Sequence, residues 1–268
     1  MLKKRLILLL KGFCIGGSML VPGVSGGSMA IILGVYDDLI KATEKIFKKT
    51  KNSLSFLVIF ALGAVLGFLV VANPLKQLMD WNAKLVTFFF VGAVVGSIPM
   101  IFQKAKAHKF QFRSVFYIII GLFVMWLVSK IPQNFFPTES GFAELLSQAL
   151  KGFISAAAFI TPGISISYML VVMGVYEPIL AAIATFDILA LLPFGVGLLI
   201  GTAVCVKILS YLLTRHPKPT YLVILGFLLG SLAEIFPGLP TTFTEWGVGF
   251  VVFTAGFLAI YLLSKQEQ

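Results

Sequence analysis

KGFCIGGSMLVPGVSGGSMAIILGVYD at Lys11–Asp37 and KGFISAAAFITPGISISYMLVVMGVYE at Lys151–Glu177 are the stretches of sequence that decide the fold of this chain. They align without a gap at an offset of 140 residues. Each opens with Lys-Gly-Phe, contains Pro-Gly at its middle and ends in Gly-Val-Tyr followed by an acidic residue. Apolar stretches match one another easily by chance, but Pro-Gly, Lys and Tyr in a single register do not. The chain is therefore an internal duplication.

Further matches extend the duplication beyond these two stretches. At an offset of 134 residues, Gly63-x-x-x-Gly67 aligns with Gly197-x-x-x-Gly201, and Gly92-x-x-x-Gly96 aligns with Gly226-x-x-x-Gly230. Small residues at this spacing are typical of close helix packing in membranes. We interpret these glycines as packing seams rather than as binding sites.

The composition indicates a membrane protein. Of the 268 residues, 59% are hydrophobic and only 12% are charged, whereas a soluble domain has roughly 25% charged residues. The charges are segregated into short clusters, as a bilayer requires, because a charge at the membrane centre costs several kcal/mol. A net charge of +10 would raise nucleic acid as a partner of a soluble protein. Here we assign it to cytoplasmic loops beside anionic lipids, and we expect no nucleic-acid partner.

The uncharged stretches between the bounding charges define the predicted architecture. They are 12–36, 52–75, 85–103, 114–129, 152–176, 188–206, 219–233 and 246–264. At ~20 residues per crossing, six of them suit ordinary spans, whereas the two with a central Pro-Gly suit broken helices. We predict an all-α polytopic membrane protein with an inverted-topology repeat, in which each half is a re-entrant helical hairpin plus three transmembrane helices.

The predicted boundaries follow from these stretches. The first repeat, 1–130, has a re-entrant hairpin at 6–36, an amphipathic helix at 38–51 and spans at 53–72, 85–103 and 114–130. The second repeat, 148–265, has a re-entrant hairpin at 150–177 and spans at 187–213, 219–236 and 246–264.

The distribution of Lys and Arg favours re-entrant hairpins over full crossings. Length does not decide, because 25 residues suit either one crossing of a ~30 Å core or two limbs of about 17 Å. If both hairpins return to the side of entry, 17 of the 21 basic residues lie on the cytoplasmic side. The positive-inside rule prefers this arrangement. We expect a multi-pass protein of the cytoplasmic membrane with both termini cytoplasmic and the N-terminal segment uncleaved.

The two Pro-Gly tips form the predicted binding site. Opposed hairpins would meet near the midplane, where secondary transporters bind their substrates. A serine can cap the helix that follows each break, and a helix start offers unpaired N–H groups to a phosphate or carboxylate. The candidate substrate-binding residues are Pro22, Gly23, Val24, Ser25, Gly26, Gly27 and Ser28 in the first tip and Thr161, Pro162, Gly163, Ser165 and Ser167 in the second. The alternative is that Gly and Ser serve only close packing and that Pro only kinks a span.

Four charged residues at the ends of the two stretches are candidates for coupling or gating. They are Asp37, Glu177, Lys11 and Lys151. The alternative for the two acidic residues is that each caps the helix that follows, with Pro178 suited to a first helical turn.

The sequence contains no catalytic or metal-binding pattern. His108 and His216 lie in basic loops and are interpreted as surface residues, and Cys14 and Cys205, without CxxC spacing, as packing residues. Lipid-phosphatase chemistry would need matched His nucleophiles and Arg clamps. We expect no enzyme, no metal and no cofactor.

The motif Pro22-Gly-Val-Ser-Gly-Gly-Ser28, followed by Gly34-Val-Tyr-Asp37, resembles that of the bacterial polyprenyl-phosphate transporter family, formerly a domain of unknown function. The second repeat of that family has a looser Pro-Gly-Ile-Ser, which occurs here at Pro162–Ser165. The resemblance spans the whole chain and implies return of undecaprenyl phosphate, the carrier lipid of cell-wall synthesis, from the outer to the inner leaflet. The substrate contacts that it implies are Gly23, Ser25, Gly26, Gly27, Ser28, Gly163 and Ser165. Met19 and Ile166-Ser167 depart from the family pattern.

The resemblance names a polyprenyl-phosphate lipid as the partner, in a membrane of anionic lipids. Two alternatives stay open. A transporter of a small soluble anion would have the same tip chemistry, because the tips do not contact a lipid tail. A membrane enzyme acting on lipid phosphates is the third class. The sequence indicates no oligomeric state.

Overall fold

The computed structural model describes residues 2–19, 25–46, 51–106, 112–132, 141–236 and 238–266. Within these ranges the chain is helical and has no strand. The helices are α1 (Leu2–Ser18), α2 (Gly26–Ile32), α3 (Tyr36–Ile46), α4 (Lys51–Lys104), α5 (Phe112–Ser129), α6 (Phe142–Ile160), α7 (Ile166–Val172), α8 (Tyr176–Ala184), α9 (Ile188–Arg215), α10 (Pro217–Ile235) and α11 (Phe243–Gln266).

Helix α4 is two helices joined at a bend. Its 54 residues would be about 80 Å long if straight, far more than a ~30 Å hydrocarbon core. The backbone at Asn82 is not helical (φ −161°, ψ 84°). The side-chain oxygen of Asn82 accepts the N–H of Leu85 at 3.1 Å, so that Asn82 starts the second helix as an N-cap. The bend therefore divides α4 into two segments of membrane-spanning length.

The protein is a multi-pass membrane protein. In the described part of the chain, five helices are long and apolar enough to cross a membrane, at Ser53–Lys104, Phe112–Ser129, Ala143–Ile160, Ile188–Arg215 and Phe243–Leu262. The apolar part of α10, Pro217–Ala233, is shorter. Large apolar side chains are exposed along these helices, including Leu62 and Leu199 at 55% and 68%. Such surfaces suit contact with lipid and not with water.

Helices α1 and α4 pack against each other as α6 and α9 do. A Cβ added at Gly67 would lie 1.9 Å from the carbonyl oxygen of Phe13. A Cβ added at the equivalent Gly201 would lie 2.5 Å from that of Phe153. Both members of the pair obey the offsets found in the sequence, 134 for the glycines and 140 for the phenylalanines. The packing interpretation of these glycines is confirmed, and the duplication in the sequence is also a duplication of helix contacts.

The other glycine seams join the two halves. Gly92 of α4 faces the carbonyl oxygen of Phe253 in α11, from which a Cβ would lie 2.0 Å. The equivalent Gly226 of α10 faces that of Ile118 in α5 at 2.3 Å. Each half thus packs one helix against a helix of the other half. The halves are interwoven and do not form separate domains.

The Gly-Val-Tyr motif ends α2 and α7. Gly34 has φ +65° and donates its N–H to Ile31, while Val35 donates to Ala30, both at 2.9 Å. These two bonds form a Schellman motif, in which glycine supplies the left-handed residue, and the same pair of bonds recurs around Gly174. Helices α2 and α7 therefore have only seven residues each. At about 10 Å they are shorter than limbs formed by an even division of each stretch.

Helix α2 lies in the centre of the buried core. Ile31 and Ile32 of α2, Ile101 of α4 and Leu222 and Leu225 of α10 belong to one cluster and are at most 1% exposed. Helices from both halves thus surround α2. This packing fixes the position of the first Pro-Gly tip, because the tip leads directly into α2.

Candidate functional site

The two tips lie against each other. The N–H of Gly163 donates to Ser25 Oγ at 3.0 Å, and a Cβ added at Gly27 would lie 3.1 Å from the Cα of Pro162. Beside them, the Tyr36 hydroxyl donates to the carbonyl oxygen of Ile160 at 2.7 Å. The structure therefore brings residues of both predicted tips into direct contact.

Ser25 is the centre of this contact and is 8% exposed. Its Oγ accepts the N–H of Ser28 and the N–H of Gly163, each at 3.0 Å, and lies 2.6 Å from Ser28 Oγ. A hydroxyl has two acceptor lone pairs and one proton. Because the two N–H groups fill the lone pairs, the Ser25 hydroxyl must donate to Ser28 Oγ. The hydroxyl proton of Ser28, a residue only 4% exposed, then has no acceptor among the described residues.

Serine caps both short helices. Ser25 is the N-cap of α2, as the sequence predicts, and Ser165 is the N-cap of α7, where its Oγ accepts the N–H of Tyr168 at 3.4 Å. Gly163, before this cap, has φ +92°, and a Cβ there would lie 2.7 Å from the carbonyl oxygen of Phe227. Both the backbone conformation and the close approach therefore require glycine at this position.

The remaining predicted tip residues differ in what they contact. Outside the described residues lie Pro22, Gly23 and Val24, together with the side chain of Ser167. Gly26 faces Met19, whose Sδ would lie 2.9 Å from an added Cβ. A methionine side chain adapts easily, whereas Gly27 faces the backbone of Pro162. Of these two glycines, Gly27 is the one that limits how closely the tips approach.

Asp37 belongs to a polar cluster between the two halves. One carboxylate oxygen lies 2.8 Å from Lys104 Nζ, and the other accepts the hydroxyl of Tyr221. Lys104 Nζ also lies 5.7 Å from the centroid of the Tyr221 ring. The cluster connects the first turn of α3 with the end of α4 and with α10. The sequence analysis counted Lys104 only as a topological charge and missed Tyr221, because nothing in the sequence connects these distant residues.

The equivalent Glu177 forms no such cluster. It is exposed in the first turn of α8, which has no side-chain cap. At the offset of 134, the residues equivalent to Lys104 and Tyr221 are Gly238 and Thr87, which supply neither a cation nor a phenol. The polar contacts of the acidic pair are therefore asymmetric although the helix packing is duplicated.

The two predicted lysines lie away from the tips. Lys11 and Lys151 precede the ends of α1 and α6, at Ser18 and Ile160, by seven and nine residues, or about 10 and 13 Å along the helix axis. Lys151 is 8% exposed, and Lys11 is partly buried. The structure thus places these charges along the first limb of each predicted hairpin.

A cavity of about 610 Å³ adjoins the second tip. Thr161 and Pro162 form its floor, helices α5, α9 and α10 form its walls, and His216 lies at its far end. The sequence analysis did not predict this cavity, because it arises from the packing of three helices that share no motif. His216 is an exposed residue, as predicted, and His108 lies outside the described residues.

Comparison with known families assigns the chain. Residues 15–248 match the VCA0040-like family, described as undecaprenyl phosphate translocase-like. The match covers most of the chain and includes all described residues of both tips. The chain belongs to this family. The resemblance found in the sequence motif is thereby confirmed.

Two relatives have the same name, polyprenyl-phosphate transporter. The relative from Staphylococcus aureus (strain NCTC 8325 / PS 47) is 34% identical over 270 aligned positions, which cover 96% of this chain and 95% of the relative. The relative from Vibrio cholerae serotype O1 (strain ATCC 39315 / El Tor Inaba N16961) is 30% identical over 247 positions, which cover 87% and 78%. No solved structure matches the chain.

Proposed function

We propose that this protein translocates undecaprenyl phosphate, or a related polyprenyl phosphate, across the cytoplasmic membrane and so recycles the lipid for cell-envelope synthesis. The family description and the names of both relatives support a polyprenyl-phosphate substrate. The observation on which the mechanism rests is the contact between the tips, in which Ser25 of one repeat accepts the N–H of Gly163 of the other.

In this proposal the repeats have inverted topology, and α1–α2 and α6–α7 are re-entrant hairpins that enter from opposite sides. The matched helix pairs of the two halves and the tip contact support it. Burial of α2 among helices of both halves supports it as well, because non-helical backbone at membrane depth is tolerated where it is packed in protein. The distribution of Lys and Arg puts both termini in the cytoplasm.

The phosphate is held between the starts of α2 and α7. A phosphate oxygen is a stronger acceptor than a serine hydroxyl and would take the Gly163 N–H that Ser25 accepts. Ser28 has a buried hydroxyl proton available for a second phosphate oxygen. Gly27 permits the close approach of the tips, and Ser165 stabilises the start of α7. Pro22, Gly23, Val24 and Ser167 complete the proposed site, which needs no metal or cofactor.

Coupling or gating is proposed for Asp37 and, by position, for Glu177, Lys11 and Lys151. The Asp37 cluster spans three helices from both halves, so that its contacts must break if α3 moves relative to α10. Since both carboxylate oxygens of Asp37 are occupied by Lys104 and Tyr221, a change in its protonation would weaken this connection.

A transporter of a small soluble anion is the alternative that the tip chemistry permits, because N–H and hydroxyl donors recognise the phosphate and not the tail. Catalysis on a lipid phosphate has less support. The only histidine in the described part of the chain is His216, which is exposed at the turn between α9 and α10 and is separated from the tips by the length of the cavity.

The test is transport of a short-chain polyprenyl phosphate across liposomes that contain the purified protein. Gly27→Leu should abolish movement, because the new side chain would collide with Pro162. Gly247→Leu is the matched control, since a Cβ there meets nothing within 4 Å, and it should transport as wild type does. Ser25→Ala should reduce the rate.

Inorganic phosphate at millimolar concentration should not compete with the lipid in this assay. Uptake of inorganic phosphate without lipid movement would refute the lipid substrate and favour the soluble-anion alternative. Lipid movement that Gly27→Leu leaves unchanged would refute the site at the tips.

A further inference from the structure

The cavity beside the second tip is a groove open to its surroundings. Its walls are formed by α5, α9 and α10, and Ile208 at its edge is 55% exposed. The volume of about 610 Å³ lies within the ~300–1,000 Å³ range of small-molecule sites. A groove of this kind on a membrane-spanning helix faces lipid and not water.

The groove is as deep as one leaflet. It extends along α10 from His216 to Phe227, a separation of eleven residues or about 16 Å. This length is close to half of a ~30 Å hydrocarbon core. The carbonyl oxygen of Phe227 is the atom against which Gly163 packs, so the inner end of the groove is at the level of the second tip. The outer end is at the turn between α9 and α10.

Charge and polarity vary along the groove in the order of a lipid phosphate. The outer end is basic, with Arg215 and Lys218 flanking His216. The wall between the ends is apolar and includes Ile208, Leu212, Val223 and Ile224. The hydroxyl of Thr220 does not interrupt it, because it donates to the carbonyl oxygen of His216 at 2.7 Å.

We propose that this groove is a second binding site, at which a polyprenyl phosphate rests in its ordinary leaflet orientation before or after its phosphate occupies the tips. The phosphate lies at Arg215, His216 and Lys218, and the first isoprene units lie along Ile208 and Val223 and end beside Pro162. The proposal rests on the proposed transport function. It gives the transporter a means to distinguish a prenyl chain from a free anion, which the tips alone do not have.

Cys205 provides a direct test, because it lies in the groove wall, while the other cysteine, Cys14, is an exposed residue of α1. Both thiols are alkylated with N-ethylmaleimide in the purified full-length protein, and the adducts are quantified by mass spectrometry. Short-chain polyprenyl phosphate should slow alkylation of Cys205 at least threefold and leave Cys14 unchanged. Inorganic phosphate should protect neither thiol. Equal rates at Cys205 with and without the lipid would overturn the site.

The same footprint separates the possible occupants. His216→Ala should raise the polyprenyl phosphate concentration needed for half-protection by about tenfold, because it removes one donor to the phosphate. A polyprenol of equal chain length should protect only at higher concentration. Protection by phosphatidylglycerol at the same concentration as polyprenyl phosphate would show a general lipid groove and overturn the specificity.

A transport measurement with matched variants completes the test. Ile208→Trp narrows the groove, and Ile200→Trp is the control on the same helix, with 54% exposure against 55% for Ile208. Ile208→Trp should slow lipid transport about tenfold, and Ile200→Trp should not. If the wild type moves the lipid and both variants match it, the groove site is wrong and the proposed function stands. If the lipid protects Cys205 but the wild type moves no lipid, the function is wrong and the groove site stands.

Discussion

Ser25→Ala removes the one side chain that bonds both tips. The substitution leaves the N–H groups of Ser28 and Gly163 without an acceptor in a buried environment. An unsatisfied buried donor costs about 1–3 kcal/mol, so the expected loss of stability is about 2–6 kcal/mol. Ser165→Ala is the matched control from the other repeat. There the described contacts amount to one N-cap bond at 3.4 Å, and the expected loss is about 1 kcal/mol.

The assay is thermal unfolding of both variants in the same detergent, combined with hydrogen exchange of the Gly163 amide. For a domain of this size, 1 kcal/mol shifts the melting temperature by roughly 2–4 °C. Ser25→Ala should therefore melt at least about 2 °C below Ser165→Ala. It should also accelerate exchange at Gly163, an effect that local loss of a helix cap would not produce.

Equal melting temperatures for the two serine variants would refute this reasoning. So would a Gly163 amide that exchanges at the wild-type rate in Ser25→Ala. Either result would mean that the bond between the tips contributes nothing beyond the capping of α2, and that the contact is not held by Ser25.

Two further predictions concern coupling and packing. Asp37→Asn should slow lipid transport more than Glu177→Gln, because only Asp37 connects the two halves, and parallel rate measurements in liposomes check this. Gly197→Val should destabilise the protein by more than about 3 kcal/mol, because its Cβ would lie 1.8 Å from the carbonyl oxygen of Ala149. Gly195→Val, where nothing lies within 4 Å of a Cβ, should melt close to wild type, and similar losses in both would contradict the packing argument.

The sequence predicts the features that depend on local backbone chemistry. Glycine at position 34 ends a helix because it adopts positive φ, and serine at position 25 starts one because its oxygen accepts an N–H. Glycines four residues apart predict a helix contact because no other residue permits such close approach. Each of these signals requires only the residue and its near neighbours. The duplication strengthens them, because the same residue recurs at the same place in both halves.

Contacts between distant helices are not predicted in this way. The cluster of Asp37, Lys104 and Tyr221 has no counterpart in the second repeat, so the duplication gives no indication of it. The groove likewise depends on how α5, α9 and α10 pack, which no motif in those helices specifies. Tyr36 is a partial exception, since its identity with Tyr176 indicated a constrained position without naming its partner at Ile160.

The difference between duplicated packing and asymmetric polar contacts bears on how such a transporter would work. In an inverted repeat that alternates between two states, the halves exchange conformations, and contacts common to both halves favour neither state. The glycine seams are such contacts. The Asp37 cluster is not, because the second repeat has glycine and threonine where the first has its partners. A partly exposed ion pair contributes about 1 kcal/mol at most, which corresponds to roughly a fivefold change in the ratio of two states. The cluster is therefore weak enough to break in each transport cycle and strong enough to bias which side is open. Asp37→Asn would then shift this bias without weakening the seams that hold the helices together.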